Sequence, residues 1–178
     1  MTPPEPQLLA SGRHLRLVER NGWEFVDRPG VTGVIGIVAV TDDRKLILVQ
    51  QYRPPVGCDV IELPAGLAGD VAGSERESLA DAAGRELLEE TGYAAREMIY
   101  LTHGPPSAGL SSEVMTLLLA TGLTRASAGG GEGSERITVH EVPLDAARDW
   151  LAQRLADGVL IDAKVYAALF FATAGCCD

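Results

Sequence analysis

The sequence has few basic residues relative to its acidic ones. The 15 Lys and Arg residues stand against 25 Asp and Glu, which gives a formal net charge of −10. Nucleic acids and anionic membrane surfaces are bound through clusters of Lys and Arg, so this balance argues against both kinds of partner. An acidic protein can still bind an anionic small molecule when a metal ion lies between the two sets of negative charge.

Cysteines and long apolar runs are also scarce. Cys58, Cys176 and Cys177 form neither a zinc spacing nor a disulfide framework, so we expect free thiols in a reducing compartment. The longest apolar runs, VIGIVAV and VYAALFFA, are too short to span a bilayer. The N-terminal stretch MTPPEPQLLASG lacks the features of a signal peptide, so we expect a cytoplasmic location.

What is present is enough apolar sequence for a core. Hydrophobic residues make up 46% of the 178 residues, which suits one domain. Two alternating runs around Asn21-Gly22 predict a β-hairpin with a type I′ turn, and residues 1–12 are expected to be loose. Apolar strands then lie on either side of a central helix, and two further helices close the chain. This order predicts an α/β layered domain with the hairpin as an appendage.

The central helix is predicted from about Glu75 to Thr91. Ser74 and Glu77 fit a capping box at its start, and Gly92 fits the position just after its end.

The helix has an apolar stripe that ends in carboxylates. Leu79 and Ala83 lead, at helical spacing, to Glu86 and Glu90, with Glu89 beside them. Like charges at this spacing repel, and the negative end of the helix dipole disfavours them further. A hard divalent cation such as Mg²⁺ or Mn²⁺ removes the conflict, because it prefers carboxylate oxygens. The stripe therefore predicts a metal site.

The stretch RELLEETGY resembles the core of the Nudix box, the signature of Nudix hydrolases. Glu77, together with the segment from Arg85 to Tyr93, matches the family pattern. The family's leading glycine is expected at position 71, where this chain has Val71, while Gly66 stands further upstream. We interpret this departure as a longer loop between Gly66 and the helix.

Three further stretches, QYRPPVG, IELPAG and LIDAKVYAAL, resemble the ADP-ribose pyrophosphatases of that family, and the similarity runs from Trp23 to Leu169. The resemblance implies a Nudix α/β/α sandwich with a mixed sheet, covering residues 33–178, and an N-terminal hairpin segment, residues 1–32, that takes part in dimerisation and substrate binding. It also implies a homodimer that splits ADP-ribose into AMP and ribose 5-phosphate by water attack on the pyrophosphate.

The resemblance assigns the metal ligands residue by residue. Glu86 and Glu90 match the principal ligands, Glu89 a further ligand, and Ala65 a ligand through its carbonyl oxygen. Glu77 matches a position near an additional metal, although its role in capping the helix would also explain it.

Catalysis also needs a base that directs the attacking water. The resemblance places it on the loop GGGEGSERI, where Glu135 is our first choice because a strand follows it, and Glu132 is the second. Arg85 is grouped with these catalytic residues because its guanidinium can hold a glutamate in position.

The substrate contacts are implied in the same way. Arg53 would reach the phosphates, and Glu62 would lie near the ribose or adenine. Trp23 and Arg28 match positions that contact the substrate from the partner subunit, with the tryptophan stacking on adenine.

Two other functions stay open. The first is a Nudix hydrolase of another nucleoside diphosphate sugar, such as GDP-mannose or ADP-glucose, which would share the metal site. The second is a domain that binds ADP-ribose without hydrolysing it; the retention of Glu86, Glu89 and Glu90 argues against this one.

Overall fold

The computed structural model describes residues 4–69, 77–131, 133 and 136–173. These residues form a three-stranded N-terminal sheet, an eight-stranded sheet, a two-stranded ribbon and three helices. In chain order the elements are β1 (Gln7–Ser11), β2 (Arg16–Arg20), β3 (Trp23–Asp27), β4 (Gly33–Val40), β5 (Lys45–Arg53), β6 (Cys58–Glu62), β7 (Ala65–Ala68), α1 (Leu79–Thr91), β8 (Tyr93–Ala94), β9 (Glu97–Gly104), β10 (Met115–Thr121), β11 (Thr124–Arg125), β12 (Thr138–Pro143), α2 (Ala147–Ala156), β13 (Leu160–Ile161) and α3 (Ala163–Thr173).

The N-terminal sheet contains the predicted hairpin and one strand more. β2 and β3 pair antiparallel around Asn21 and Gly22, whose φ angles of +56° and +80° are those of a type I′ turn. β1 adds to the free edge of β2, with Gln7 opposite Glu19. The prediction that residues 1–12 are loose is therefore wrong for β1, because pairing with β2 satisfies its backbone hydrogen bonds.

The eight-stranded sheet is mixed, as predicted. Its hydrogen-bonded order is β13-β6-β5-β4-β10-β9, while β12 pairs with β5 and β7 pairs with β4. β4 and β10 run parallel at its centre, and β13 runs parallel to β6. The other pairs of this sheet are antiparallel.

Helices cover both faces of the large sheet. Ile35 and Ile37 of β4 belong to the buried cluster that contains Leu87 of α1. Val38 of β4 points to the opposite face and belongs to the cluster that contains Leu151 of α2 and several side chains of α3. A strand buried on both faces has no polar alternation, which explains the continuous apolar run of β4. The α/β/α sandwich is confirmed.

The helix α1 ends as predicted and begins later. Gly92 adopts the left-handed conformation with φ of +76°, and its N–H donates to the carbonyl of Leu88 at 2.9 Å. At the other end the N-cap is Ser78, whose Oγ accepts from the N–H of Asp81 at 3.1 Å. The predicted start near Glu75 is wrong because two serines, each followed three residues later by an acid, offer the same capping chemistry. Glu77 therefore precedes the helix.

No helix in the described part of the chain is long and apolar enough to cross a membrane.

Candidate active site

One cavity of about 490 Å³ brings together six of the residues assigned from the sequence. It lies where β5 and β6 end and where β7 passes the acidic end of α1. The six assigned residues among those that line it are Arg28, Arg53, Glu62, Ala65, Glu86 and Glu90.

Two carboxylates of α1 pack against the backbone of β7. Glu90 is buried, with 7% of its surface exposed, and its Oε2 accepts from the N–H of Ala65 at 3.0 Å. Glu86 lies against Gly66 so closely that a Cβ on Gly66 would be 2.1 Å from its Cδ. The glycine therefore leaves room for the carboxylate, and the strand aligns Glu86 and Glu90 along one wall.

Beside that wall the guanidinium of Arg85 contacts four groups. Its Nη1 lies 2.9 Å from Oε1 of Glu86 and 3.3 Å from Oε2 of Glu89. Its Nη2 lies 3.3 Å from Oε2 of Glu77 and donates to the carbonyl of Leu67 at 3.2 Å. Burial alone lowers the pKa of Arg85, but the hydrogen bond with Glu77 and the charge of Glu86 outweigh it, so its pKa lies above the ordinary value. Arg85 thus fixes two box glutamates and Glu77 to β7.

The glycine run 129–131 packs on the C-terminal end of α1. The N–H of Gly130 donates to the carbonyl of Glu90 at 2.8 Å, and that of Gly131 to the carbonyl of Glu89 at 3.1 Å. All three glycines have positive φ, +69°, +110° and +80°, and a Cβ on Gly129 would be 2.4 Å from the carbonyl carbon of Thr91. The run therefore supplies donors to carbonyls that have no partner within the helix. Glu132 and Glu135, the two candidate bases, lie outside the described residues.

The N-terminal sheet is joined to the cavity through the loop that precedes β10. The N–H of Val26 donates to the carbonyl of Leu110 at 2.8 Å, and Trp23 Nε1 donates to the carbonyl of Gly109 at 3.2 Å. This contact brings Arg28 into the cavity of its own chain, where its Nε donates to Glu113 at 2.7 Å. Trp23 stays 63% exposed on the N-terminal sheet. The contribution of Trp23 and Arg28 to the site of a partner subunit remains a prediction.

A model of the NUDIX domain matches residues 31–168. The chain belongs to the Nudix hydrolase family. It is 32% identical over 148 residues to the methanol dehydrogenase activator of Bacillus methanolicus, a match that covers 82% of this chain and 76% of that protein.

Among its Nudix relatives are two named ADP-ribose pyrophosphatases. The protein from Bacillus subtilis is 38% identical over 101 residues, covering 57% of this chain and 50% of that protein. The protein from Mycobacterium tuberculosis is 34% identical over 142 residues, covering 77% and 63%. A crystal structure of an ADP compounds hydrolase superimposes with a TM-score of 0.69 at 25% identity, covering 95% of this chain and 90% of that one. The enzyme class and the fold predicted from the sequence are confirmed.

Nudix hydrolases generally use a divalent metal. Within the described residues, no three Asp, Glu, His or Cys side chains form a group positioned to hold one. Glu86 and Glu89 turn to Arg85, and Glu90 turns to the backbone of Ala65. The oxygen donors gathered on this wall nevertheless suit a hard cation, because carboxylate and carbonyl oxygens are its preferred ligands. The ligand set named from the sequence stays a prediction.

Sequence reasoning missed two charged side chains of this Nudix cavity. Glu113 pairs with Arg28, and Lys164 lies on the cavity wall at the start of α3. Both come from segments noticed in the sequence, AGLSSE and LIDAKVYAAL, but neither has a spacing that points to a function. Only the folded chain brings them beside the box helix.

The close contact between Gly66 and Glu86 gives the first prediction. In Gly66→Ala the new Cβ would overlap the end of a movable side chain, so we expect Glu86 to shift while the fold is retained. A displacement of about 1 Å in a catalytic group can cost about 100-fold, and we expect a loss of kcat of that order. Enzyme kinetics and thermal unfolding measure the two effects.

The matched control is Gly84→Ala. Gly84 lies within α1, and a Cβ there would meet nothing within 4 Å. This substitution should leave kcat unchanged and stabilise the fold by about 0.5–1 kcal/mol, because glycine weakens a helix interior. Equal activity of both variants would contradict the packing of Glu86 on Gly66.

Proposed function

We propose that this Nudix hydrolase splits the pyrophosphate bond of ADP-ribose, giving AMP and ribose 5-phosphate, with the help of a divalent metal. The observation that carries the proposal is that Arg28, Arg53, Glu86 and Glu90 line the same cavity. Such a cavity offers cations for a diphosphate and oxygen ligands for the metal. The names of the two pyrophosphatases and of the ADP compounds hydrolase support the choice of substrate.

In this proposal the box residues bind Mg²⁺ or Mn²⁺ through Glu86, Glu90 and the carbonyl of Ala65, with Glu89 and Glu77 as further ligands. When bound, such a cation would supply a lowered pKa for the attacking water and positive charge to offset that of the phosphates. Arg85 acts as a positioning residue, since it contacts Glu86, Glu89 and Glu77 and fixes them to β7.

The chain's own groups would carry out the remaining tasks. Glu135, or Glu132 in its place, would accept a proton from the attacking water. Arg53 would bind a phosphate oxygen. In the structure its Nε donates to Glu62 at 2.6 Å. When substrate binds, either this pair must separate or Arg53 must donate to the phosphate through its other N–H groups. Glu62 would then be free to accept from a ribose hydroxyl or the adenine amine.

Another nucleoside diphosphate sugar, such as GDP-mannose or ADP-glucose, is the second candidate substrate. The metal site would be the same, and the difference would lie in the contacts of Trp23, Arg28 and Glu62. A sensor that binds ADP-ribose without cleaving it is less well supported, because Glu86, Glu89 and Glu90 are all present.

A hydrolysis screen tests the proposal. The protein is incubated with Mg²⁺ and with ADP-ribose, ADP-glucose or GDP-mannose, and the products are identified by chromatography. We expect AMP and ribose 5-phosphate to form fastest from ADP-ribose, and all turnover to stop with a chelator. Preference for another sugar would select the second candidate, and tight ADP-ribose binding without products would select the sensor.

Association as a homodimer is a further part of the proposal. β1 leaves Leu8 54% and Leu9 43% exposed, and Trp23, which belongs to the same N-terminal sheet, is 63% exposed. Burying such side chains against a second copy would be favourable. The division of the chain at residue 32 and the cytoplasmic location remain predictions.

The second prediction is that the protein sediments as a dimer at micromolar concentration. Leu8→Asp should shift it toward the monomer and lower activity, because a charge would enter the proposed interface. Leu155→Asp is the control, since Leu155 is 47% exposed on α2, away from the N-terminal sheet. A fully active monomer would defeat the proposal of shared sites.

A further inference from the structure

The cavity holds a third positive side chain, which comes from the C-terminal part of the chain. β13 runs parallel to β6, and the N–H of Asp162 donates to the carbonyl of Ile61 at 2.9 Å. The carboxyl ends of the two strands therefore lie side by side. Glu62 is the last residue of β6, and α3 begins close to it, shortly after the end of β13. Lys164, in the first turn of α3, lines the cavity there.

Asp162 holds Lys164 at two points. Its Oδ1 accepts from the backbone N–H of Lys164 at 2.8 Å, and its Oδ2 pairs with the ammonium Nζ. The Lys164 side chain is only 28% exposed. An ammonium has three N–H donors, so a contact with one carboxylate leaves it able to donate to a phosphate oxygen as well.

The balance of charges in the cavity suggests a role for Lys164 in binding an anionic substrate. Carboxylates of Glu62, Glu86, Glu90 and Glu113 line the wall, against the three cations Arg28, Arg53 and Lys164. Arg28 and Arg53 are already paired with Glu113 and Glu62 at 2.7 and 2.6 Å. A diphosphate that entered this cavity would be repelled by the carboxylates unless cations offset their charge. Loss of Lys164 would leave two cations among four carboxylates.

We propose that Lys164 is a substrate-binding residue that donates to the diphosphate. This inference rests on the proposed hydrolysis of a nucleoside diphosphate sugar and adds a residue to its site. The competing explanation is that the pair of Lys164 with Asp162 only fixes the start of α3.

The sequence offers a direct test, because Lys45 and Lys164 are its only two lysines. The protein is labelled with an amine-reactive acylating reagent, with and without an ADP-ribose analogue whose bridging oxygen is replaced by methylene. Mass spectrometry then gives the labelled fraction of each lysine. Lys164 should lose labelling in proportion to the analogue bound, while Lys45, which pairs with Asp43 at 2.9 Å on another part of the surface, should not change.

Kinetics of variants provide the second arm. Lys164→Met should raise KM about 10- to 100-fold, the range of one hydrogen bond to a charged group, with kcat changed far less. Lys164→Arg should restore most of the loss, and Lys45→Met should behave like the parent protein. Asp162→Asn keeps an acceptor for the start of α3 but removes the charge that competes for Lys164, so KM should stay the same or fall.

The outcomes separate this inference from the proposed function. If the analogue binds and the labelling of Lys164 is unchanged, the lysine is not a ligand although the function stands. If Asp162→Asn reproduces the defect of Lys164→Met and lowers the thermal stability equally, the pair is structural and the inference is overturned. If neither the analogue binds nor any nucleoside diphosphate sugar is hydrolysed, both proposals fall.

Discussion

Glu90→Gln is expected to lower kcat by on the order of 1,000-fold without unfolding the protein. A metal ion supplies several kcal/mol of transition-state stabilisation, and each 1.36 kcal/mol corresponds to tenfold in rate. Glutamine keeps the volume of the buried side chain and an oxygen that can accept from Ala65, so the contact with β7 survives. Only the negative charge that attracts a cation is lost.

The measurement is kcat at saturating Mg²⁺, together with the midpoint of thermal unfolding and titration of Mn²⁺ binding. Glu97→Gln is the control, because it makes the same chemical change at an exposed position of β9. It should leave all three quantities unchanged. Full activity of Glu90→Gln would remove Glu90 from the site.

Glu135→Gln is expected to lower kcat by about 100- to 10,000-fold with little change in KM, as befits a lost general base. Glu132→Gln should lose about tenfold or less on the same reasoning. The choice of Glu135 depends on the strand that follows it in the sequence. Both variants are compared at saturating Mg²⁺, since a weakened metal site would otherwise imitate a lost base.

The two variants also decide between the alternatives for the base. Both glutamates lie outside the described residues, so activity is the measurement that separates them. A larger defect in Glu132→Gln would transfer the role to Glu132. If neither variant is impaired, Glu89 becomes the first candidate, and Arg85, 3.3 Å away, its positioning partner.

Local sequence patterns predict those parts of the fold that local interactions determine. Asn21-Gly22 specifies its turn, and Gly92 ends its helix, because positive φ favours these residues. The predicted start of α1 is wrong because Ser74 and Ser78 have competing capping patterns in the sequence, and the N-cap in the structure is Ser78. β1 is missed because it depends on a partner strand, which no pattern within its own residues reveals.

For the candidate site, too, local patterns predict some features, and contacts between distant segments determine the others. Helical spacing alone predicts that Glu86 and Glu90 share one face of α1, and both side chains line the cavity. The packing of Glu86 on Gly66, the gathering of glutamates by Arg85 and the arrival of Lys164 at the cavity all join distant segments. A spacing rule within one helix cannot report contacts of that kind.

The parallel pairing at the centre of the sheet has a consequence for biosynthesis. Val34 of β4 pairs with Met115 of β10, so roughly 80 residues must be translated between the two partners, and such distant pairing slows folding. A nascent chain that ends just after Gly92 already contains the whole acidic helix, yet it lacks the strand that completes the core beneath it. During this interval the apolar edge of β4 is open to other chains, a situation that chaperones exist to manage. The ribosome thus makes the helix that carries the predicted metal ligands before it makes the strand on which the packing of that helix depends.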